Sequence, residues 1–150
     1  MKPPKYFLNL TFAALAMTAS ATTKNVAPLA RITASSEQPG HPASAVADGI
    51  IGIDGLGEWR STSGMTSWGE LHYPDLTLNW DEPLTIARVV IYDTPSEAHH
   101  IAAVELRMSD GSVEYVNSIA NDGSPREVRF SPRTVEWMKV VASDAQHTGV

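Results

Sequence analysis

Residues 104 to 108 set the strictest condition on what this chain can become. Val104, Leu106 and Met108 alternate with Glu105 and Arg107, a two-residue period that a helix would scatter around its axis and that a half-exposed strand puts on one face. Ser109-Asp110-Gly111-Ser112 follows at once and spells a hairpin turn, since Gly takes the positive φ such turns need. On the N-terminal side, Ile86 to Tyr92 gathers Val89, Val90, Ile91 and Tyr92 around one charge, Arg88. That is the composition of a strand buried on most sides. Between the two lies Asp93-Thr94-Pro95-Ser96-Glu97-Ala98-His99-His100, a polar loop with adjacent imidazoles. Two strands therefore form a scaffold that presents a loop.

The remaining segments repeat this grammar. Leu29 to Ser36 reads as a first strand running into a hydroxyl-rich turn, and Glu37 to Pro42, with two prolines and a glycine, as loop. Ala43 to Val46 makes at most one helical turn before Asp48-Gly49 stops it. Glycines 52, 55 and 57 predict an irregular loop, Glu58 to Ser61 a short extended piece, and Gly64 to Gly69 a further loop carrying Trp68. Leu76, Leu78 and Trp80 alternate in a strand that Asp81-Glu82-Pro83 is expected to end. Ser112 to Val116 returns from the hairpin, Asn121 to Pro125 is a turn, and Val128 and Phe130 alternate in a strand that Pro132 is expected to break. Val135 to Ala142 closes the series as a long buried strand. Many short strands between Gly, Pro and Asp turns predict an all-β sandwich.

Charge and composition bound the function. Lys2 and Lys5 precede the apolar run Tyr6 to Met17, and Ala19-Ser20-Ala21 is a small-x-small cleavage site. Residues 1–21 thus read as a signal peptide, too short in its apolar part to span a bilayer, with the domain proper over 22–150. This predicts a secreted, periplasmic or cell-surface protein with no membrane insertion. Without those two lysines, nine Lys and Arg face 17 acids, so the net charge moves from −6 to 9 − 17 = −8. Such a surface disfavours nucleic acid and anionic lipid and suits a neutral sugar or a cation. With no cysteine, disulfides and thiolate metal sites are excluded.

The order of motifs is similar to that of coagulation factor 5/8 type C, or discoidin-like, domains. The likeness runs through Asn25-Val26-Ala27, Ala34-Ser35-Ser36, Ala45-x-x-Asp48-Gly49 and Trp59. It continues in the aromatic-ended strand before Asp81-Glu82-Pro83 and in Ile86-x-x-Val89-x-x-Tyr92-Asp93. The Ser109-Asp110-Gly111 hairpin and Arg133-x-Val135-x-Trp137 resemble a bacterial subgroup near the family 32 carbohydrate-binding modules. The resemblance implies a galactose-binding-like jelly-roll β-sandwich, non-catalytic, that binds through loops at one end and is often attached to a secreted glycoside hydrolase or surface protein. Family members usually continue with a final strand of the type G-L-x-E-I-x-V, whereas the sequence ends at Val150. The expectation is therefore a sandwich lacking its last C-terminal strand, with the edge of Val135 to Ala142 unpaired.

The resemblance also implies a structural calcium ion at Asp48, with Asp54 as a second ligand. A Gly-rich turn can aim carbonyls at a cation that needs six to eight oxygens. Gly57, however, stands where a hydroxyl is often found, and Asp48 can equally kink the turn through its own backbone hydrogen bonds. For a sugar, aromatic rings stack on apolar C–H faces while imidazoles and carboxylates bond hydroxyls. Trp68, His72, Tyr73, Glu97 and His99 are suitable types in loops or at strand ends. Arg60 serves either as a ligand contact or as a structural ion-pair partner, and Trp59, Trp80 and Trp137 fall in strand patterns that predict core positions. Zinc lacks both cysteine and an H-x-x-x-H helix, and adjacent His99 and His100 point apart. Glu58, Glu70 and Asp75 are the carboxylates a glycosidase would draw on, but no spacing fixes a catalytic pair, and no nucleophile elbow, phosphate loop or dinucleotide fingerprint is present. A glycan-binding module without catalytic residues is thus expected. A structural or adhesive accessory domain without a sugar site is the alternative, and a small hydrolase the third reading.

Overall fold

A computed structural model describes residues 24–51, 56–62, 73–93, 95–96 and 99–147, apart from the side chains of residue 99 and residues 144–147. The expected signal peptide lies outside them. The strands are β1 (Arg31–Ala34), β2 (Asp75–Tyr92), β3 (His99–Met108), β4 (Val113–Val116) and β5 (Pro125–His147). Single 3-10 turns at Ala27–Leu29 and Ala43–Ala47 are the only helical pieces among the described residues. All pairings are antiparallel, in the order β1-β2-β5-β3-β4. The architecture is a galactose-binding-like β-sandwich.

Two strands, β2 and β5, are long enough to serve both layers, with 18 and 23 residues. Here the structure corrects the expectation that Asp81-Glu82-Pro83 and Pro132 end strands. Between the pairs Asn79–Trp137 and Leu84–Val135, β2 advances five positions while β5 advances two. Between Ile86–Arg133 and Arg88–Arg129, β5 advances four against two. Pro83 and Pro132 sit inside these irregular stretches, where a missing N–H breaks no ladder bond, so the prolines bend the ribbon and do not terminate it. Each shift also changes which side chains face inward. On β5 the inward set passes from Val128 and Phe130 to Val135, and then to Met138 and Ala142.

The core joins Leu76, Leu78 and Ile86 of β2 to Val104, Leu106 and Met108 of β3, Val116 of β4, and Val135 and Met138 of β5. The alternation at 104–108 is realised as read, with all three apolar side chains buried and Arg107 exposed. The hairpin forms as well: Gly111 takes φ +85° and its N–H donates to the Met108 carbonyl at 3.0 Å. Two expectations fail here. Ile86 to Tyr92 is not buried on most sides, because Ile86 alone is fully buried and Tyr92 is exposed; that part of β2 pairs only with β5 among the described residues. Nor is the edge of Val135 to Ala142 free, since Met138 to Val141 is flanked by β2 on one side and β3 on the other.

The tryptophans divide in a similar way. Trp59 and Trp80 pack on the core, their indole N–H groups donating to the carbonyls of Ser36 and Val26 at 2.9 Å each. Trp137 was expected inside but lies 36% exposed. Met138 holds the inward position next to it, and adjacent strand residues face opposite sides.

Candidate functional site

The serines that follow β1 organise the loop end of the sandwich. Ser35 Oγ accepts the Asp75 N–H at 3.0 Å, and Ser36 Oγ accepts the Thr62 N–H at 3.1 Å. Gln38 adds a side-chain bond to the Ser61 carbonyl at 2.8 Å, while its N–H donates to the Arg60 carbonyl. A hydroxyl-rich turn at this point therefore fastens the segment Leu56 to Thr62 to the start of β2. Gly57 closes the approach: its φ is +66°, and a Cβ there would sit 2.5 Å from Ile50 Cβ. On the other side Asn121 clasps the β2–β3 loop through two bonds to Ser96, at 2.9 and 2.7 Å.

Residues at both ends of β2 reach one cavity of about 620 Å³. Tyr73 precedes β2 and Tyr92 ends it; both line the cavity and are 44% and 43% exposed. Glu58 and Arg60 line it from the loop, paired at 2.5 Å. His41 Nδ1 lies 3.3 Å from Glu58 Oε1 but outside hydrogen-bonding geometry. Asp93 and His100 contribute from the end of β2 and the start of β3. His100 Nδ1 is 2.5 Å from Asp93 Oδ2, which also accepts the Ile101 N–H at 3.4 Å. Burial lifts the Asp93 carboxyl above the usual carboxylate value. The bonds from His100 and Ile101 pull it the other way, and the charge of Glu58 adds to the lift. With Asp93 ionised, His100 Nδ1 carries the shared proton, leaving Nε2 as the ring's other hydrogen-bonding atom. The rim thus offers two half-exposed aromatic rings with acceptors and donors between them.

The expected site residues meet different fates. Tyr73 and Arg60 are brought together at this cavity, Arg60 also as an ion-pair partner. Trp68, His72 and Glu97 lie outside the described residues, as does the side chain of His99, whose backbone opens β3. Asp48 is exposed, and its Oδ1 accepts the Ile50 N–H at 2.8 Å, a side-chain-closed turn beside Gly49 at φ +86°. Asp54 lies outside the described residues, among which no three His, Cys, Asp or Glu side chains converge on a metal position. One carboxylate already committed to a backbone N–H does not by itself make a calcium shell. Of the glycosidase carboxylates, Glu58 pairs with Arg60 and Asp75 with Lys139 at 3.2 Å; Glu70 lies outside. Tyr92, Asp93 and His100 were not among the expected contacts. The I-x-x-V-x-x-Y-D pattern contained the first two, but nothing in it signals that a strand end is a rim.

Fold and rim together define a galactose-binding-like β-sandwich with a cleft at its loop end. The chain belongs to the family described as domain of unknown function DUF7402, whose model matches residues 25–149. No curated protein sequence matches the chain significantly. Solved structures similar to it include the family 32 carbohydrate-binding module of Clostridium perfringens NanJ in complex with galactose. That module has 20% identity and a TM-score of 0.61, over 83% of this chain and 88% of that one. A Streptococcus pneumoniae fucose-binding module, SpX-3, has 11% identity and a TM-score of 0.67, over 83% and 90%. Chitosan-binding module 1 from a Paenibacillus sp. IK-5 chitosanase/glucanase has 22% identity and a TM-score of 0.59, over 82% and 89%.

Proposed function

We propose that this domain is a non-catalytic carbohydrate-binding module, of the factor 5/8 type C kind, that grips a glycan at the loop end of its sandwich. One observation carries the reading. Tyr73, Tyr92, the Glu58–Arg60 pair and the Asp93–His100 pair converge on the mouth of a single cavity. A pyranose presents apolar C–H faces to rings and hydroxyls to mixed donors and acceptors, and this rim matches both needs. The galactose, fucose and chitosan named for the similar modules support a sugar as the ligand class. Outside the cell, where residues 1–21 lead us to place it, such a module would hold a partner catalytic domain near its polysaccharide. Calorimetric titration against galactosides, fucosides and glucosamine oligomers tests the reading. Binding is expected for at least one of them, and Tyr92→Ala should weaken it roughly fivefold or more, about 1 kcal/mol. Affinity unchanged in that variant would remove this cavity as the site.

The calcium ion implied at Asp48 and Asp54 remains part of the proposal, as a brace for the loop and not as a ligand contact. A melting temperature lowered by chelator and restored by calcium is the expected result; an identical melt in both conditions would rule the ion out.

A further inference from the structure

A second cleft adjoins the cavity, and Val90 and Tyr92 line both. Its charges are one-sided. Lys24 and Arg88 line it and are exposed, whereas no Asp or Glu does among the described residues. Asp48, between the lining residues Ala47 and Gly49, instead bonds the Ile50 N–H of its own turn. In a chain where 17 acids outnumber 11 bases, a cleft carrying cations alone is selective for anions. The strand ladder adds to this. Arg88 stands directly opposite Arg129, and the two share Glu127, which is 3.5 Å from Arg88 and also paired with Arg129. Like charges facing each other across a sheet are destabilising, and one carboxylate between two guanidiniums leaves a positive charge in excess. The register from Arg88 to Tyr92 is unbroken, and Val89 and Ile91 pack on the core. Arg88, Val90 and Tyr92 therefore share the other face of one strand.

We propose that this cleft holds the anionic group of an acidic glycan, a carboxylate or sulfate on a sugar unit beyond the one gripped at the rim. This rests on the sugar-binding reading and adds a charge requirement to it. The rim itself suits a neutral unit, because Arg60 offsets Glu58 and Asp93 adds a further carboxylate. Arg88 lies about 13 Å along the strand from Tyr92, so the charged group belongs to a later unit of the chain. A guanidinium presents a planar fork of donors that matches the oxygens of such a group. The contact is made at exposed side chains and needs no opening of the packed core. The overall charge of −6 opposes anions at long range, so the attraction is local and weakens with salt.

The test is calorimetric titration of the full chain with three sets of oligomers matched in length, neutral galactan, oligogalacturonate and sulfated galactan, each at low and high salt. At low salt at least one acidic set should bind about tenfold more tightly than the neutral one, and high salt should shrink that advantage. Which acidic set binds better identifies the anion as carboxylate or sulfate. Arg88→Gln should bring the ratio of acidic to neutral affinity down towards one. Glu127→Gln, which removes the competing carboxylate, should raise that ratio about twofold or more, a gain that a folding defect cannot produce. Equal affinities for all three sets would overturn the acidic subsite and leave the sugar reading standing. A preference that survives Arg88→Gln in full would overturn the assignment to this cleft. No binding by any set would overturn both readings.

Discussion

Leu106→Ala should lower the free energy of unfolding by about 3–4 kcal/mol, the upper part of the range for emptying a leucine site. Leu106 is 0% exposed on β3, which is paired with β4 on one side and β5 on the other, opposite Glu114 and Val140. Two flanking ladders hold the backbone in place, so the site cannot collapse to recover the lost contacts. A domain of this size has roughly 5–15 kcal/mol in all, and the variant would forfeit a large part of it. Arg107→Ala, one position along, is the control. Arg107 faces solvent in a pair with Glu105 at 2.7 Å and is 51% exposed, so its removal should stay within about 0.5 kcal/mol. Urea titrations of both variants measure the difference. A Leu106→Ala loss below about 1 kcal/mol, or equal losses for both, would show that the β3 face has been assigned wrongly.

That contrast rests on the part of the fold that was legible in the sequence. A strict two-residue period over five positions leaves one solution, and the Asp-Gly turn after it fixes the hairpin and its register. Asp48-Gly49 as a helix stop was also readable, because its bond is local; of the serines after β1 only the turn was, since their bonds reach Asp75 and Thr62 far along the chain. Pro83 and Pro132 were misread, because a proline ends a strand only where its N–H would have been needed; whether a bulge absorbs it depends on a partner strand some fifty residues away in the sequence. Trp137 was misread for a related reason, since the bulges change inward parity along β5 and the sequence does not say where. The site suffered most. Tyr73 and Arg60 are readable by residue type alone, whereas Tyr92, Asp93 and His100 become rim residues only because residues at both ends of β2 line the same cavity. Long-range geometry of that kind leaves no periodic trace.

Asp93→Asn separates function from structure at this rim, because its effects on binding and on stability are expected to have opposite signs. The Asp93 carboxyl is raised above its ordinary value of 3.8, chiefly by burial. An acid so raised binds its proton more tightly in the folded chain than in the unfolded one. Its stabilising contribution is therefore complete below about pH 3.8 and is lost as pH rises through the folded value. At neutral pH the native protein carries a buried carboxylate that folding alone does not favour. Asparagine is nearly isosteric, does not ionise, and can still accept a bond from His100 through its amide oxygen. The variant should be at least as stable as the parent at pH 7, with a shallower fall in stability as pH rises from about 4, read from denaturant midpoints across that window. Glycan affinity should move the other way. A sugar hydroxyl bonded to an ionised acceptor is worth about 1.5–3 kcal/mol, so replacing the carboxylate should weaken binding roughly tenfold to a hundredfold. Stability given up at a position where binding gains is the mark of a functional residue. A variant that binds sugar normally but unfolds more readily would make Asp93 a structural partner of His100 and move the sugar contact to the Tyr73 and Glu58 side of the rim.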